Sequence, residues 1–221
     1  MAGRIVVVDY HKGNLLSVVR SLVDVGADAV ISDEPAVISG ASAVVLPGVG
    51  SLEDAMDYMR ASGQDEAVCD SIARGVPFLG ICLGQHLLME RGDERTHEHA
   101  PDDVWCPGLG VISGSARRLD GGRLKVPHVG WDQIHLTEAG RACPLFAGVA
   151  EGANMYFTHS YALDDDVAPR LVAARTHYTR SFASAIWRDN VYAVQFHPEK
   201  SSVEGLKILS NFVGIVNGSL A

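Results

Sequence analysis

Val76-Pro77-Phe78-Leu79-Gly80-Ile81-Cys82 is an apolar run that stops at a cysteine, and Leu83-Gly84-Gln85-His86-Leu87-Leu88 resumes at once as a helix. Gly80 and Gly84 stand two residues to either side of Cys82. A strand that turns this sharply into a helix leaves its tip residue strained and projecting. Only small neighbours let a substrate carbonyl come close to it. Gly-x-Cys-x-Gly is the thiol form of such a nucleophile elbow. The helix N-terminus that follows favours a thiolate and offers backbone N–H groups to a developing oxyanion. The plainer reading of a lone thiol is a buried core cysteine, so the rest of the chain has to decide between them.

The residues before and after the elbow set the fold class. Arg4 to Val8 is a β-branched run that reads as a buried parallel strand. A helix is expected from Leu15 to about Val25, stopped by Gly26, and short strands at Ala29–Ile31 and Ala43–Leu46. Leu52–Arg60 and Asp65–Ala73 have helical spacing. The elbow strand follows, then a helix expected to reach about Arg91. This rhythm predicts an α/β fold: three layers around a mostly parallel, doubly wound sheet. Residues 92–107 read as a polar surface loop, and Thr96-His97-Glu98-His99 within it lacks diagnostic metal-ligand spacing. From Gly108 onward short strand-like runs take over, at Val111–Leu119, Val129–Leu136, Asn154–Ala162, Leu171–Thr176, Ala183–Trp187 and Val191–Phe196. They predict antiparallel strands appended to the parallel sheet, with a hairpin at Asp189-Asn190. A helix from about Ser202 to Val216 closes the chain, which is expected to be one domain spanning 1–221.

A net charge of −9, with no Lys/Arg block, argues against a nucleic-acid partner. No apolar run reaches membrane-spanning length, and the N-terminus lacks a signal-peptide pattern, so a cytoplasmic location is expected. Cys69, Cys82, Cys106 and Cys143 are scattered, without metal or disulfide spacing, and are expected to be free thiols. No metal or cofactor is expected.

A nucleophilic thiol needs a base, and the base needs an orienting group. Gln195-Phe196-His197-Pro198-Glu199 ends the last strand-like run, as Cys82 ends its own. Pro198 restrains the backbone there, and His197 and Glu199 can project from one sheet end. The roles that follow are Cys82 as nucleophile, His197 as general base and then acid, and Glu199 as the carboxylate that sets the imidazole tautomer. Pro47-Gly48-Val49-Gly50-Ser51 ends another strand, where two glycines bring backbone N–H groups near a ligand. It has neither the lysine of a P-loop nor a dinucleotide fingerprint, which disfavours nucleotide binding.

With these pieces in place, the chain resembles the class I glutamine amidotransferases. Within them it is most similar to the glutaminase subunits of imidazole glycerol phosphate synthase. The resemblance covers nearly the whole chain. It rests on Val7-Val8-Asp9-Tyr10 with Gly13-Asn14-Leu15, Leu46-Pro47-Gly48-Val49-Gly50, the elbow, Gly108-Leu109-Gly110, Lys125-Val126-Pro127-His128-Val129-Gly130-Trp131, Tyr156-Phe157-Thr158-His159-Ser160-Tyr161, and Gln195 to Ser202. It implies that glutamine is hydrolysed to glutamate and ammonia through Cys82, His197 and Glu199. It implies oxyanion and substrate contacts from Gly48, Val49, Gly50, Leu83, Gln85, His86, His159, Ser160 and Tyr161. It also implies a heterodimer with a (β/α)₈-barrel cyclase subunit, met through Asn14, Pro127, His128, Trp131, Tyr156 and Lys200, to which ammonia is channelled to make imidazole glycerol phosphate and an aminoimidazole carboxamide ribotide.

Two positions depart from the family pattern. Where the family has a glutamine four residues after the cysteine, this chain has His86, preceded by Gln85. A helix turns about 100° per residue, so Gln85 does not take over that direction. Where a glycine commonly follows the tyrosine, this chain has His11, which is expected to bear on partner contact and not on the chemistry. The same motifs also fit the glutaminase subunit of a paralogous pathway, a stand-alone cysteine amidohydrolase, or a non-catalytic module with a degenerate glutaminase fold.

Overall fold

The computed structural model describes residues 3–11, 13–96 and 105–220. His97, Glu98 and His99 lie outside them. The first half keeps the expected rhythm and adds one short helix, α2, that was not expected: β1 (Arg4–Val8), α1 (Leu15–Asp24), β2 (Asp28–Ser32), α2 (Pro35–Ser39), β3 (Ala43–Gly48), α3 (Leu52–Ser62), α4 (Gln64–Ala73), β4 (Phe78–Cys82) and α5 (Leu83–Leu87). Next come β5 (Met89–Gly92), β6 (Cys106–Pro107), β7 (Ile112–Arg118), β8 (His128–Gln133), β9 (His135–Leu136) and α6 (Glu138–Ala142). The chain finishes with β10 (Asn154–His159), β11 (Tyr161–Leu163), β12 (Val172–His177), β13 (Ser181–Arg188), β14 (Val191–Val194) and α7 (Ser202–Val216).

An eight-stranded sheet in the order β2-β1-β3-β4-β14-β13-β12-β9 forms the middle layer. Its strands are parallel from β2 to β14 and antiparallel beyond. Strand side chains alternate between faces, so Ile5, Val7, Val45, Leu79 and Ile81 pack on one side with Leu15, Val18 and Leu22 of α1 and Ile208, Leu209 and Phe212 of α7. Val6, Val8, Val44, Leu46 and Phe78 pack on the other with Met56, Met59, Val68 and Ile72 of α3 and α4. Burying both faces explains why these strands read as continuous apolar runs. The Ser51 hydroxyl caps α3 by accepting the Asp54 N–H at 3.2 Å, and Gly63 ends it at φ 78°.

The expected helix to Arg91 is corrected. α5 ends at Leu87, and β5 runs parallel to β7 and antiparallel to β6. The Leu87 and Leu88 carbonyls accept from the N–H groups of Leu109 and Ile112, at 2.8 and 2.9 Å, instead of from a next helical turn. The surface loop expected over 92–107 likewise ends in a strand, since Gly92 pairs with Cys106. The appended strands also divide. β14 joins the main sheet parallel to β4, against the expected antiparallel pairing, and ends at Val194; β13, β12 and β9 extend that sheet antiparallel; β8 and β10 form a pair, and β11, β7, β5 and β6 a separate sheet. The hairpin at Asp189-Asn190 is present between β13 and β14. No described helix is long and apolar enough to cross a membrane.

Candidate active site

Parallel sheets carry their sites at the C-terminal strand edges, and here three such edges meet. Gly48 at the end of β3 pairs with Cys82 at the end of β4, and Ile81 pairs with Val194 of β14. Just past the end of β14 the chain bends, the Gln195 side chain reaches the Cys82 sulfur, and His197 follows. Cys82 sits at φ 54° and ψ −106°, a strained backbone for a residue with a Cβ. The flanking glycines are a packing requirement. A Cβ on Gly80 would press on the Gly84 carbonyl, and one on Gly84 would overlap the Leu46 carbonyl.

His197 Nδ1 lies 2.8 Å from the Glu199 Oε1, and both side chains are buried. The turn that holds them is tied down on both flanks. The His197 N–H donates to the Tyr156 carbonyl at 2.9 Å, while the Ser201 hydroxyl donates to the His197 carbonyl at 2.6 Å and accepts the Tyr156 N–H at 2.9 Å. With Nδ1–H committed to the carboxylate, Nε2 is the nitrogen left for the nucleophile. It makes no conventional hydrogen bond among the described residues, and the Cys82 thiol acts on the ring's charge. Burial by itself disfavours the imidazolium. Hydrogen bonding and charge from Cys82 and Glu199 outweigh it and lift the His197 pKa to about 10.

A cleft of about 270 Å³ opens over the thiol. Of the residues expected around substrate and oxyanion, Val49, Gly50, Leu83, His86, His159, Ser160 and Tyr161 line it. Gly48 lies just behind, its Cα covered by the Tyr10 hydroxyl, which fills the space a Cβ would need. Gln85 is fully buried and does not line the cleft; neither polar atom of its side chain has a protein partner among the described residues. His159 Nδ1 lies 2.7 Å from the Tyr161 carbonyl, and burial pushes its pKa down to about 3, so it is neutral in the cleft wall.

Three cleft features escape sequence reasoning. Glu94 lines the cleft, where burial pushes its carboxyl up to about 7; it lies in a polar stretch with no periodic signal. Thr158 also lines it, with its carbonyl 4.0 Å from the Cys82 sulfur. Gln195 places its amide nitrogen 3.7 Å from that sulfur. Its position two residues before His197, in the same short motif, was the available signal.

Beside the cleft, the expected partner-facing residues divide. Asn14, Pro127, Trp131 and Lys200 are exposed. The Trp131 and Tyr156 rings meet edge to face at 6.0 Å, and the Lys200 ammonium sits 5.8 Å from the Tyr156 ring centre. His128 is not on that surface. It is 3 % exposed, stacked on Phe157 and Tyr178, with Nδ1 3.0 Å from His159 Nε2. His11 adopts φ 61°, so it keeps the left-handed backbone that a glycine takes without strain.

The model of the family described as glutamine amidotransferase class-I matches residues 6–215. The chain is 44% identical to an imidazole glycerol phosphate synthase subunit HisH from Syntrophotalea carbinolica, over 94% of this chain and 98% of that one. It is 47% identical to the HisH subunit from Herpetosiphon aurantiacus, covering 95% and 93% respectively. Among solved structures, a putative GMP synthase subunit from Thermoplasma acidophilum superposes with a TM-score of 0.70 at 21% identity, covering 99% and 96%. The glutaminase domain of a Trypanosoma brucei CTPS, solved with bound acivicin, gives 0.66 at 16% identity, covering 97% and 94%; these two likenesses concern the fold alone.

Proposed function

The chain belongs to the class I glutamine amidotransferases, and from that premise we propose that Cys82, His197 and Glu199 carry its glutaminase chemistry. The protein is the glutaminase subunit of an imidazole glycerol phosphate synthase and serves histidine biosynthesis. The observation that carries the catalytic reading is His197, held by Glu199 on one side and interacting with the Cys82 thiol on the other.

The Cys82 sulfur attacks the side-chain carbonyl carbon of glutamine with the thiol proton already held on His197 Nε2, in keeping with the raised pKa of that ring. The carbonyl oxygen becomes an oxyanion facing the backbone N–H of Leu83 and one from the Val49-Gly50 segment. Collapse breaks the C–N bond. His197 returns the proton to the departing nitrogen, which leaves as ammonia, and a γ-glutamyl thioester remains on Cys82. Water then attacks the thioester, with His197 as base. The C–S bond breaks, the sulfur regains its proton, and glutamate is released. Glu199 holds the imidazole in one tautomer and stabilises its cation throughout. Among the described residues, Glu94 is the one acidic side chain lining the cleft, and it suits the ammonium of an amino-acid substrate.

Ammonia then passes to a (β/α)₈-barrel cyclase partner seated on the surface around Trp131, Tyr156 and Lys200. In a complex with that partner, Cys82→Ala is expected to reduce glutamine-dependent synthesis at least about a thousandfold. Synthesis driven by added ammonium survives, because the partner performs that step. Loss of both activities from an intact complex overturns the role given to Cys82. Full turnover by the isolated chain, unaffected by any barrel protein, favours a stand-alone amidohydrolase.

A further inference from the structure

The helix position four residues after the nucleophile is one that faces the substrate in the family pattern, and here it holds His86, which lines the cleft but turns Nε2 to Gln195. Its Nε2 lies 2.7 Å from the Gln195 Oε1, and its Nδ1 is buried without a partner among the described residues. Burial pushes its pKa down to about 4, so at neutral pH the ring carries one proton. A proton on Nδ1 would be a buried donor with no partner, whereas a proton on Nε2 has Gln195 to donate to, so the proton belongs on Nε2.

The consequence falls on Gln195, which is fully buried. A side-chain amide in such a place has two orientations that differ by exchange of oxygen and nitrogen. In one, Oε1 accepts from His86 Nε2–H and the amide N–H points at the Cys82 sulfur, 3.7 Å away. In the other, the amide nitrogen would meet His86, and the carbonyl oxygen would press against the sulfur. The first donates to a thiolate; the second repels it.

We propose that His86 and Gln195 are positioning residues for the nucleophile: the His86 N–H pins the Gln195 carbonyl so that the Gln195 amide donates to the Cys82 sulfur and stabilises its anion. This rests on the reading of Cys82 as nucleophile. Among the described residues, the other titratable groups that interact with the sulfur are His197 and Tyr10. His197 lies on the same strand extension as Gln195 but acts independently of it.

Alkylation of the full-length chain by iodoacetamide tests this without glutamine and without a partner, so substrate binding does not enter the readout. The rate at Cys82 is followed from pH 5 to 10 by peptide mass spectrometry, with Cys69 as internal reference. His86→Leu and Gln195→Met are expected to raise the midpoint of the Cys82 profile by about one pH unit, slowing the reaction at neutral pH up to about tenfold. Gln195→Glu, which puts a carboxylate against the sulfur, raises it further. His86→Gln keeps an N–H for the Gln195 carbonyl and keeps the wild-type midpoint. The two near-isosteric variants preserve the comparison if the apolar ones unfold. Folded His86→Leu and Gln195→Met chains with an unshifted midpoint overturn the proposal, as does His86→Gln shifting as far as His86→Leu. A wild-type chain whose Cys82 reacts no faster than Cys69 removes the nucleophile assignment itself, a different result from unshifted variants.

Discussion

In the proposed mechanism His197 holds the proton of a thiol and later gives one to ammonia, so its cation must be stabilised without being trapped. Burial alone works against that cation. Glu199 at 2.8 Å and the Cys82 thiol reverse the balance and raise the pKa from 6.5 to about 10. Removing the sulfur removes one of the two supports. In Cys82→Ala the His197 pKa falls from about 10 toward or below 6.5, as followed by NMR titration of its ring C–H signals; an unchanged value contradicts the pairing. The sign for stability follows. The folded pKa lies above the unfolded one, so the contribution is complete below pH 6.5 and is lost as the pH rises to about 10. Wild-type stability therefore declines over that window more steeply than that of Cys82→Ala. Cys82, His197 and Glu199 were legible because each sits in a contiguous motif whose backbone needs are local. Gln195 and Glu94 were not. Gln195 meets His86 and Cys82 across 109 and 113 residues of chain, and Glu94 reaches the cleft from a segment whose composition reads as solvated loop.

The elements that deliver these side chains depend on small fixtures at their ends. The β13–β14 hairpin turns through Asp189 at φ 53°, and the adjacent Asn190 amide donates to the carbonyls of Ile72 and Val76 at 3.0 and 2.8 Å. Asn190 thereby ties the start of β14 to the end of α4 and the entry to β4. Asn190→Ala leaves both carbonyls without that donor and is expected to cost about 1–3 kcal/mol, read as a lower urea midpoint at an unchanged slope. A change below a few tenths would show that water replaces the amide freely. The parallel strands and the last helix were readable because burial of both sheet faces writes itself as unbroken apolar runs. The end of α5 was not. Leu87, Leu88 and Met89 continue an apolar pattern that serves a helix or a buried strand equally. The decision comes from Leu109 and Ile112, whose N–H groups claim the Leu87 and Leu88 carbonyls from more than 20 residues away. The split of β10 from β11 has a similar origin, since they pair with different strands, β8 and β7.

Taken together, the cleft opens beside the surface that the proposed cyclase partner would cover. Trp131 is 55 % exposed, Val129 57 % and Val49 44 %. Pro127 of the expected partner surface lines the same cleft as Val49 and Gly50, so an occupant covering Pro127 would meet the opening that holds the segment assigned to the oxyanion. A large half-open aromatic packed edge-on against Tyr156, with Lys200 over that ring, has the make-up of a binding hot spot: an apolar anchor, a rigid support and a charge at the rim. Trp131→Ala removes the anchor while leaving the triad, whose members are fixed by β4, β14 and the turn at Ser201. The expected result is a loss of about 2 kcal/mol or more in association with the cyclase, a Kd raised roughly 30-fold, measured by titration calorimetry. Alkylation of Cys82 in the free variant proceeds at the wild-type rate, because that reaction depends on His86, Gln195 and His197 and not on this surface. If association is unchanged, the partner sits elsewhere, and the proximity of Trp131 to the cleft has no bearing on ammonia transfer. If association weakens and Cys82 reactivity falls with it, the Trp131–Tyr156 pair is mechanically joined to the His197 turn through the Tyr156 backbone, which receives the His197 N–H and donates to Ser201.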